Sequence, residues 1–226
     1  MTDIELPYFL ARPVGDRPTP GIVVVHEGNG ISTQLLRVCQ RLAHEGYMAM
    51  APDLFYRAGG TEADDLITLI RSITAEQAVD DIVSAIGQIR SLGAHPVGVI
   101  GFCMGGTQAY RTALSSSECD AAVGFYGAPI AGELGQLQCP TLLLFAGEDQ
   151  YIPVADIEAV VAHHPEAVIY PEAGHGFMRD GSSSYDEDAA TDGWDRMLSF
   201  LSTHLGSPPA GPPTPDRNST RDRRGE

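Results

Sequence analysis

From Gly21 to about His164 the chain alternates short apolar runs with stretches of helical periodicity. This rhythm predicts β-α-β units around a mainly parallel sheet, whose strands are covered on both faces and so read as continuous apolar runs. Strands are expected at Ile22 to Val25, Tyr47 to Ala51, Val97 to Phe102, Ala121 to Phe125, Thr141 to Phe145 and Ala167 to Tyr170. Val79, Ile82, Val83, Ile86 and Ile89 recur at spacings of three and four, which gives one apolar helical face. Further helices are expected from Thr33 to His44, from Gly105 to about Leu114 and from about Val154 to Ala162. After Gly193 a stripe of Trp194, Met197, Leu198, Leu201 and Leu205 closes the fold, and packing is its simplest role. The fold class is therefore α/β, with helices on both faces of the sheet and residues 1–205 forming one domain. From Gly206 to Glu226 the chain turns to Gly, Pro, Ser and charge, with five prolines and almost no apolar residues, so a disordered tail is expected.

Composition narrows the classes of function. At 226 residues the chain suits one α/β domain with a sizeable core. A formal net charge of -16 and the absence of lysine argue against nucleic-acid or anionic-membrane partners, which require a basic surface. No stretch has the build of a secretory leader, and no apolar run approaches the roughly 18 residues of a membrane span. A cytoplasmic, monomeric protein acting on a small molecule is the expectation. The four cysteines, Cys39, Cys103, Cys119 and Cys139, lie far apart without a CxxC pair, which fits reduced thiols better than disulfides or zinc.

Candidate chemistry centres on Gly101-Phe102-Cys103-Met104-Gly105-Gly106, which follows an apolar strand and opens a helical run. The pattern is that of a nucleophile elbow with cysteine in place of serine. So tight a turn forces the nucleophile into a strained backbone conformation and requires neighbours nearly free of side chain, a role for Gly101 and Gly105. It also sets Cys103 at a helix N-terminus, where the dipole and N–H groups favour a thiolate or an oxyanion. A buried structural cysteine in a Gly-rich turn is the alternative, so other residues must decide.

In this kind of hydrolase an acid and then a histidine follow the nucleophile in chain order, each after a later strand. Asp149 follows the strand Thr141 to Phe145, and His175, between two glycines, follows Ala167 to Tyr170. Parallel strands bring their carboxyl ends to one edge, so the sequence separation is no obstacle. Asp149 also suits a helix cap, Glu148 competes for its role, and His175 also suits an exposed loop. His44, His163, His164 and His204 look like helix or loop surface, His95 precedes a proline, and His26 suits a structural role at a strand end. No HExxH pair supports a metal hydrolase, and no cofactor is expected.

With these positions in hand, the chain resembles the dienelactone hydrolase family over about Gly21 to Leu205. The likeness also runs through His26-Glu27-x-x-Gly30, Pro52 to Arg57, Phe125-Tyr126-Gly127, Asp149-x-x-Ile152-Pro153 and Ala173 to Phe177, in the family's order. The resemblance implies a Cys103-His175-Asp149 triad with Glu27 as a fourth participant. It implies that Glu27 contacts a resting thiol turned away from the histidine and, once substrate displaces it, takes the thiol proton. It further implies that Arg57 and Arg179 bind a substrate carboxylate, although each also suits a structural ion pair. N–H groups of Gly28 and Met104 are expected to form an oxyanion hole. The chain departs from the family at Gly28 and Asn29, where a bulkier apolar residue is expected after the glutamate, so a roomier or more mobile pocket floor is expected here. An ester or lactone hydrolase follows, with a thioesterase or esterase of other acyl preference as the alternative, and a non-catalytic ligand-binding or redox-responsive module behind both.

Overall fold

A computed structural model describes residues 6–15, 18–59 and 66–208. The expected disordered tail lies outside them from residue 209 onward. Seven strands form one sheet: β1 (Tyr8–Ala11), β2 (Thr19–Val25), β3 (Met48–Pro52), β4 (Ala94–Phe102), β5 (Ala121–Phe125), β6 (Thr141–Glu148) and β7 (Val168–Gly174), in the order β1-β3-β2-β4-β5-β6-β7. All neighbours are parallel except β1, which runs antiparallel to β3 at the edge, pairing Tyr8 with Pro52 and Ala11 with Ala49. The six expected strands are all present, most of them longer than their apolar runs. The sequence reading missed β1, because Tyr-Phe-Leu-Ala carries no pattern of its own and is held only by its partner strand.

Six α-helices complete the fold: α1 (Thr33–His44), α2 (Leu66–Arg71), α3 (Ala75–Ser91), α4 (Met104–Ser115), α5 (Val154–His163) and α6 (Glu187–Leu205). Strands β2, β3 and β5 are buried along their whole length. Successive strand side chains point to opposite faces, and the two apolar clusters divide accordingly. Ile22 and Val24 join Leu35, Cys39 and Leu42 of α1 and Trp194, Met197 and Leu201 of α6. Val23 and Val25 join Ile82, Ile86 and Ile89 of α3 and Ala109 and Ala113 of α4. Of the Val79 to Ile89 stripe, Ile82, Ile86 and Ile89 are core, while Val79 and Val83 are half-buried and the buried face is completed by Ala78 and Ala85 instead. No helix among the described residues is long and apolar enough to cross a membrane.

Helix α6 begins six residues before Gly193, where its apolar stripe starts. Asp186 sets that start by accepting a hydrogen bond from the Ala189 N–H (2.9 Å), and Gly193 inside the helix packs against Phe125 and Phe177. A side chain that satisfies a free helical N–H is worth about 1 kcal/mol. Replacing Asp186 by Ala is therefore expected to lower the melting temperature by about 2–4 °C in a thermal unfolding scan.

Candidate active site

The carboxyl ends of β4, β6 and β7 present Cys103, Asp149 and His175 within one or two residues of each strand's last residue. Cys103 stands between β4 and α4 with φ 53° and ψ -119°, a conformation a non-glycine residue adopts only under strain of order 1–3 kcal/mol. The surroundings hold it there. Its N–H donates to the Phe125 carbonyl (3.0 Å), and its own carbonyl accepts from Thr107 N–H (3.2 Å). The glycines are required by contact: a Cβ on Gly101 would sit 2.0 Å from the Gly105 carbonyl oxygen, and one on Gly105 would sit 2.4 Å from that of Val25. Any side chain at either position would prise α4 away from the sheet.

His175 and Asp149 are joined directly, the imidazole Nδ1–H donating to Asp149 Oδ2 (2.8 Å). Both side chains are buried, at 4% and 0% exposure, so the pair is shielded from water. Asp149 Oδ1 accepts from the N–H groups of Tyr151 (2.8 Å) and Ile152 (3.1 Å), which fixes the carboxylate, while the neighbouring Glu148 is exposed. Nδ1 is committed to Asp149, so Nε2 is the nitrogen available to the thiol. Burial alone would push the His175 pKa down. Hydrogen bonding to Asp149 and Cys103, together with their charges, outweighs it and raises the value from 6.5 to about 9.

Glu27, just beyond β2, is buried and bonded on both oxygens: Tyr126 O–H donates to Oε1 (3.2 Å) and Arg179 Nε–H to Oε2 (2.6 Å). Tyr126 and Arg179 both lie within electrostatic reach of Cys103, so this trio borders the sulfur. The Cys103 side chain, however, engages His175 instead of being turned away from it, and Glu27 spends both oxygens on Tyr126 and Arg179. The sequence reading assigned Tyr126 no role. Its ring meets His175 edge-on at 4.9 Å, it adopts φ 39°, and burial beside Glu27 raises its phenol pKa. Tyr151, 67% exposed, meets the imidazole at 4.8 Å and was equally invisible, since nothing in its local sequence marks an exposed ring as functional. His26 is a buried structural histidine. Its Nδ1–H donates to the Glu27 carbonyl (2.6 Å) and its Nε2 accepts from Leu54 N–H (3.1 Å), anchoring the backbone that carries Glu27 and Gly28.

Two expectations meet a different arrangement. Arg57 follows β3 in a single 3-10 turn and forms a two-pronged ion pair with Asp81 of α3 (2.5 and 2.8 Å), whose carboxylate is only 6% exposed. The pocket floor beside Gly28 is not left open. A Cβ there would lie 2.6 Å from Ile70 Cδ1, so α2 fills the volume that a larger residue after Glu27 would take. Met104, the other expected oxyanion donor, is the first residue of α4, where backbone N–H groups have no helical partner. Among the described residues no group of three or more His, Cys, Asp or Glu side chains could hold a metal ion.

A mainly parallel sheet with helices on both sides and a strained strand-to-helix turn is the architecture of an α/β-hydrolase. The family model for the dienelactone hydrolase family matches residues 6–205, and the chain belongs to that family of hydrolases acting on esters and lactones. A Salmonella typhi protein provisionally named a carboxymethylenebutenolidase is 31% identical over 89% of this chain and 84% of its own length. The crystal structure of a protein from Klebsiella pneumoniae subsp. pneumoniae, provisionally named a dienelactone hydrolase, superposes with a TM-score of 0.78 at 32% identity, covering 87% of this chain and 92% of the other. A dienelactone hydrolase-like promiscuous phosphotriesterase from metagenomic libraries shares the fold, with a TM-score of 0.76 at 23% identity over 88% and 92% of the two chains.

The raised His175 pKa has a definite sign. Folding favours the imidazolium, so its stabilising effect is complete below pH 6.5 and is lost as pH rises through about 9. Replacing Asp149 by Asn removes one of the two groups that sustain it, the other being Cys103. NMR titration of the His175 ring is expected to fall from about 9 in that variant.

Proposed function

We propose that the protein hydrolyses an ester or lactone, with a carboxylated lactone of the dienelactone type as the preferred substrate, through a Cys103-His175-Asp149 triad and a thioester acyl-enzyme. The observation that carries this reading is the buried Asp149-His175 hydrogen bond aimed at the elbow that holds Cys103, because a protein that only bound a ligand would gain nothing from an oriented base. In the acylation step the Cys103 sulfur attacks the carbonyl carbon, and the C–O bond to the alcohol or enolate breaks after a tetrahedral intermediate. The N–H groups of Met104 and Gly28 are the proposed donors to its oxyanion. An enolate leaving group is stabilised by delocalisation and needs little acid assistance. In the second step acylation has removed the sulfur's charge, which had helped hold a proton on His175. The imidazole in its neutral form takes a proton from water, the hydroxide attacks the thioester, and the sulfur leaves as thiolate.

Glu27 has a part in this scheme that fits its contacts. Its Oε2 is held by Arg179, the same arginine proposed to receive a substrate carboxylate. A carboxylate arriving at Arg179 would compete with Glu27 for the guanidinium and free Oε2 to accept the Cys103 proton. A carboxylate at Arg179 would thus raise the thiolate fraction above its resting level, and the lower resting fraction limits oxidation and alkylation, since both follow thiolate fraction. Arg57 is proposed as the second carboxylate contact, acting from its place on Asp81 with 42% of its side chain exposed. An esterase or thioesterase of other acyl preference would use the same atoms and differ only in pocket shape.

Cys103→Ala is expected to abolish turnover of p-nitrophenyl acetate and of dienelactone, while mass spectrometry of the wild-type protein quenched during turnover shows an acyl adduct on Cys103. Turnover near the wild-type rate in the variant removes the triad. For the clamp, Arg179→Gln is expected to raise KM at least tenfold more for a carboxylated lactone than for a neutral ester. If Arg57→Ala lowers stability without any such selectivity, the ion pair with Asp81 is its whole role.

A further inference from the structure

A second cleft, of about 170 Å³, lies beside the candidate site. The first cleft is lined by Glu27, Tyr126 and Arg179 on one side and by Gln34, Val38 and Met178 on the other. These last three residues also line the second cleft, so the two abut along α1 and the loop that follows His175. Gln34 ties those walls together by donating from Nε2 to the Met178 carbonyl (3.1 Å).

The far end of the second cleft is basic, which is unusual in a lysine-free chain of formal charge -16. Arg37 and Arg41 stand one helical turn apart on α1, and both line it. Arg57, Arg90, Arg111, Arg179 and Arg196 each hold an acid at close range, whereas Arg37 reaches Asp180 only at 4.0 Å with both side chains well exposed. Arg41 has no acid partner among the described residues. Its guanidinium lies 3.8 Å over the ring of Trp194, whose own Nε1–H is buried without a partner. Two like charges at positions i and i+4 repel, and an anion between them would relieve that repulsion. Asp180 on the rim disfavours a doubly charged ligand, so a single carboxylate suits the site best.

We propose that this cleft is a distal subsite for the free carboxylate at the far end of an elongated acyl group, held by Arg37 and Arg41 while the ester lies at Cys103. The proposal rests on the ester-hydrolase reading for the chemistry at the near end. Gln34 and Arg41 lie seven positions apart on α1, about 10 Å along the axis. That span beyond the wall shared with the near cleft favours a medium-chain dicarboxylic half-ester over a short one.

Trp194 is the chain's single tryptophan, so its emission reports directly on the subsite. In Cys103→Ala protein, which cannot turn substrate over, titration with monomethyl suberate is expected to change that emission saturably. Adding Arg37→Gln and Arg41→Gln together is expected to weaken its binding about tenfold, with less than a twofold effect on uncharged dimethyl suberate. Equal weakening of both esters, an equal loss for the short monomethyl succinate, or no binding preference for the half-ester would each overturn the proposal. The titration needs no catalysis. A wild-type protein that hydrolysed no ester at all would sink the hydrolase reading, while the emission change would still decide whether the cleft binds a carboxylate.

Discussion

The whole site depends on how closely two backbones approach at the elbow. Gly101 and the Gly105 carbonyl are packed so tightly that a Cβ on the former would come within 2.0 Å of the latter, and Gly105 presses in turn on the Val25 carbonyl at the end of β2. This contact seats the first turn of α4 against the carboxyl ends of the central strands. It also holds Cys103 at φ 53°, where a residue free to relax would not stay. The strain is sustained because the flanking strands are buried and hydrogen-bonded to their neighbours, so relaxing one residue would require moving several. Cys103, the helix N-terminus behind it and the strand end that carries Glu27 are thus fixed by a single steric arrangement.

Around that fixed sulfur the protein arranges opposed charges in a dry setting. The Asp149 side chain is fully buried, is itself held by two backbone N–H groups, and together with Cys103 stabilises the imidazolium strongly enough to overcome the cost of burying it. On the other side Arg179 and Tyr126 hold Glu27, so the carboxylate beside the thiol is neither bare nor free to wander. Each acid near the thiol therefore has its own restraint, and the two restraints differ in kind. Asp149 is bound by backbone and is permanent, whereas Glu27 is bound by a side chain, 36% exposed, for which an incoming anion can compete. That difference is what lets one carboxylate serve as a fixed orienter and the other as a movable proton acceptor in the proposed cycle.

The surroundings of Gly28 show how a local departure in sequence can be absorbed elsewhere. The missing side chain does not leave a void, because Ile70 from α2 occupies the space. The space beside Gly28 is filled here by a helix rather than by the residue after Glu27. The neighbouring Leu66 and Ile67 of α2 are exposed apolar residues, so the segment that fills this space is only partly covered by the rest of the protein.

The order of strands and helices, the identity of Cys103, Asp149 and His175, and the placement of all three at strand ends were legible in the chain itself. Apolar periodicity records burial directly, and a glycine-flanked turn after an apolar strand has few other uses. Edge strand β1 and short helix α2 were not legible, because each is too short to leave a periodic trace. Only the folded structure could show Asp149 bonded to His175, bring Tyr126 to Glu27 across 99 residues, and join Arg57 to Asp81 instead of leaving it free. Sequence records which side chains avoid water. Which charges meet is decided by packing, because an ion pair depends on a few ångströms of separation that no spacing along the chain specifies.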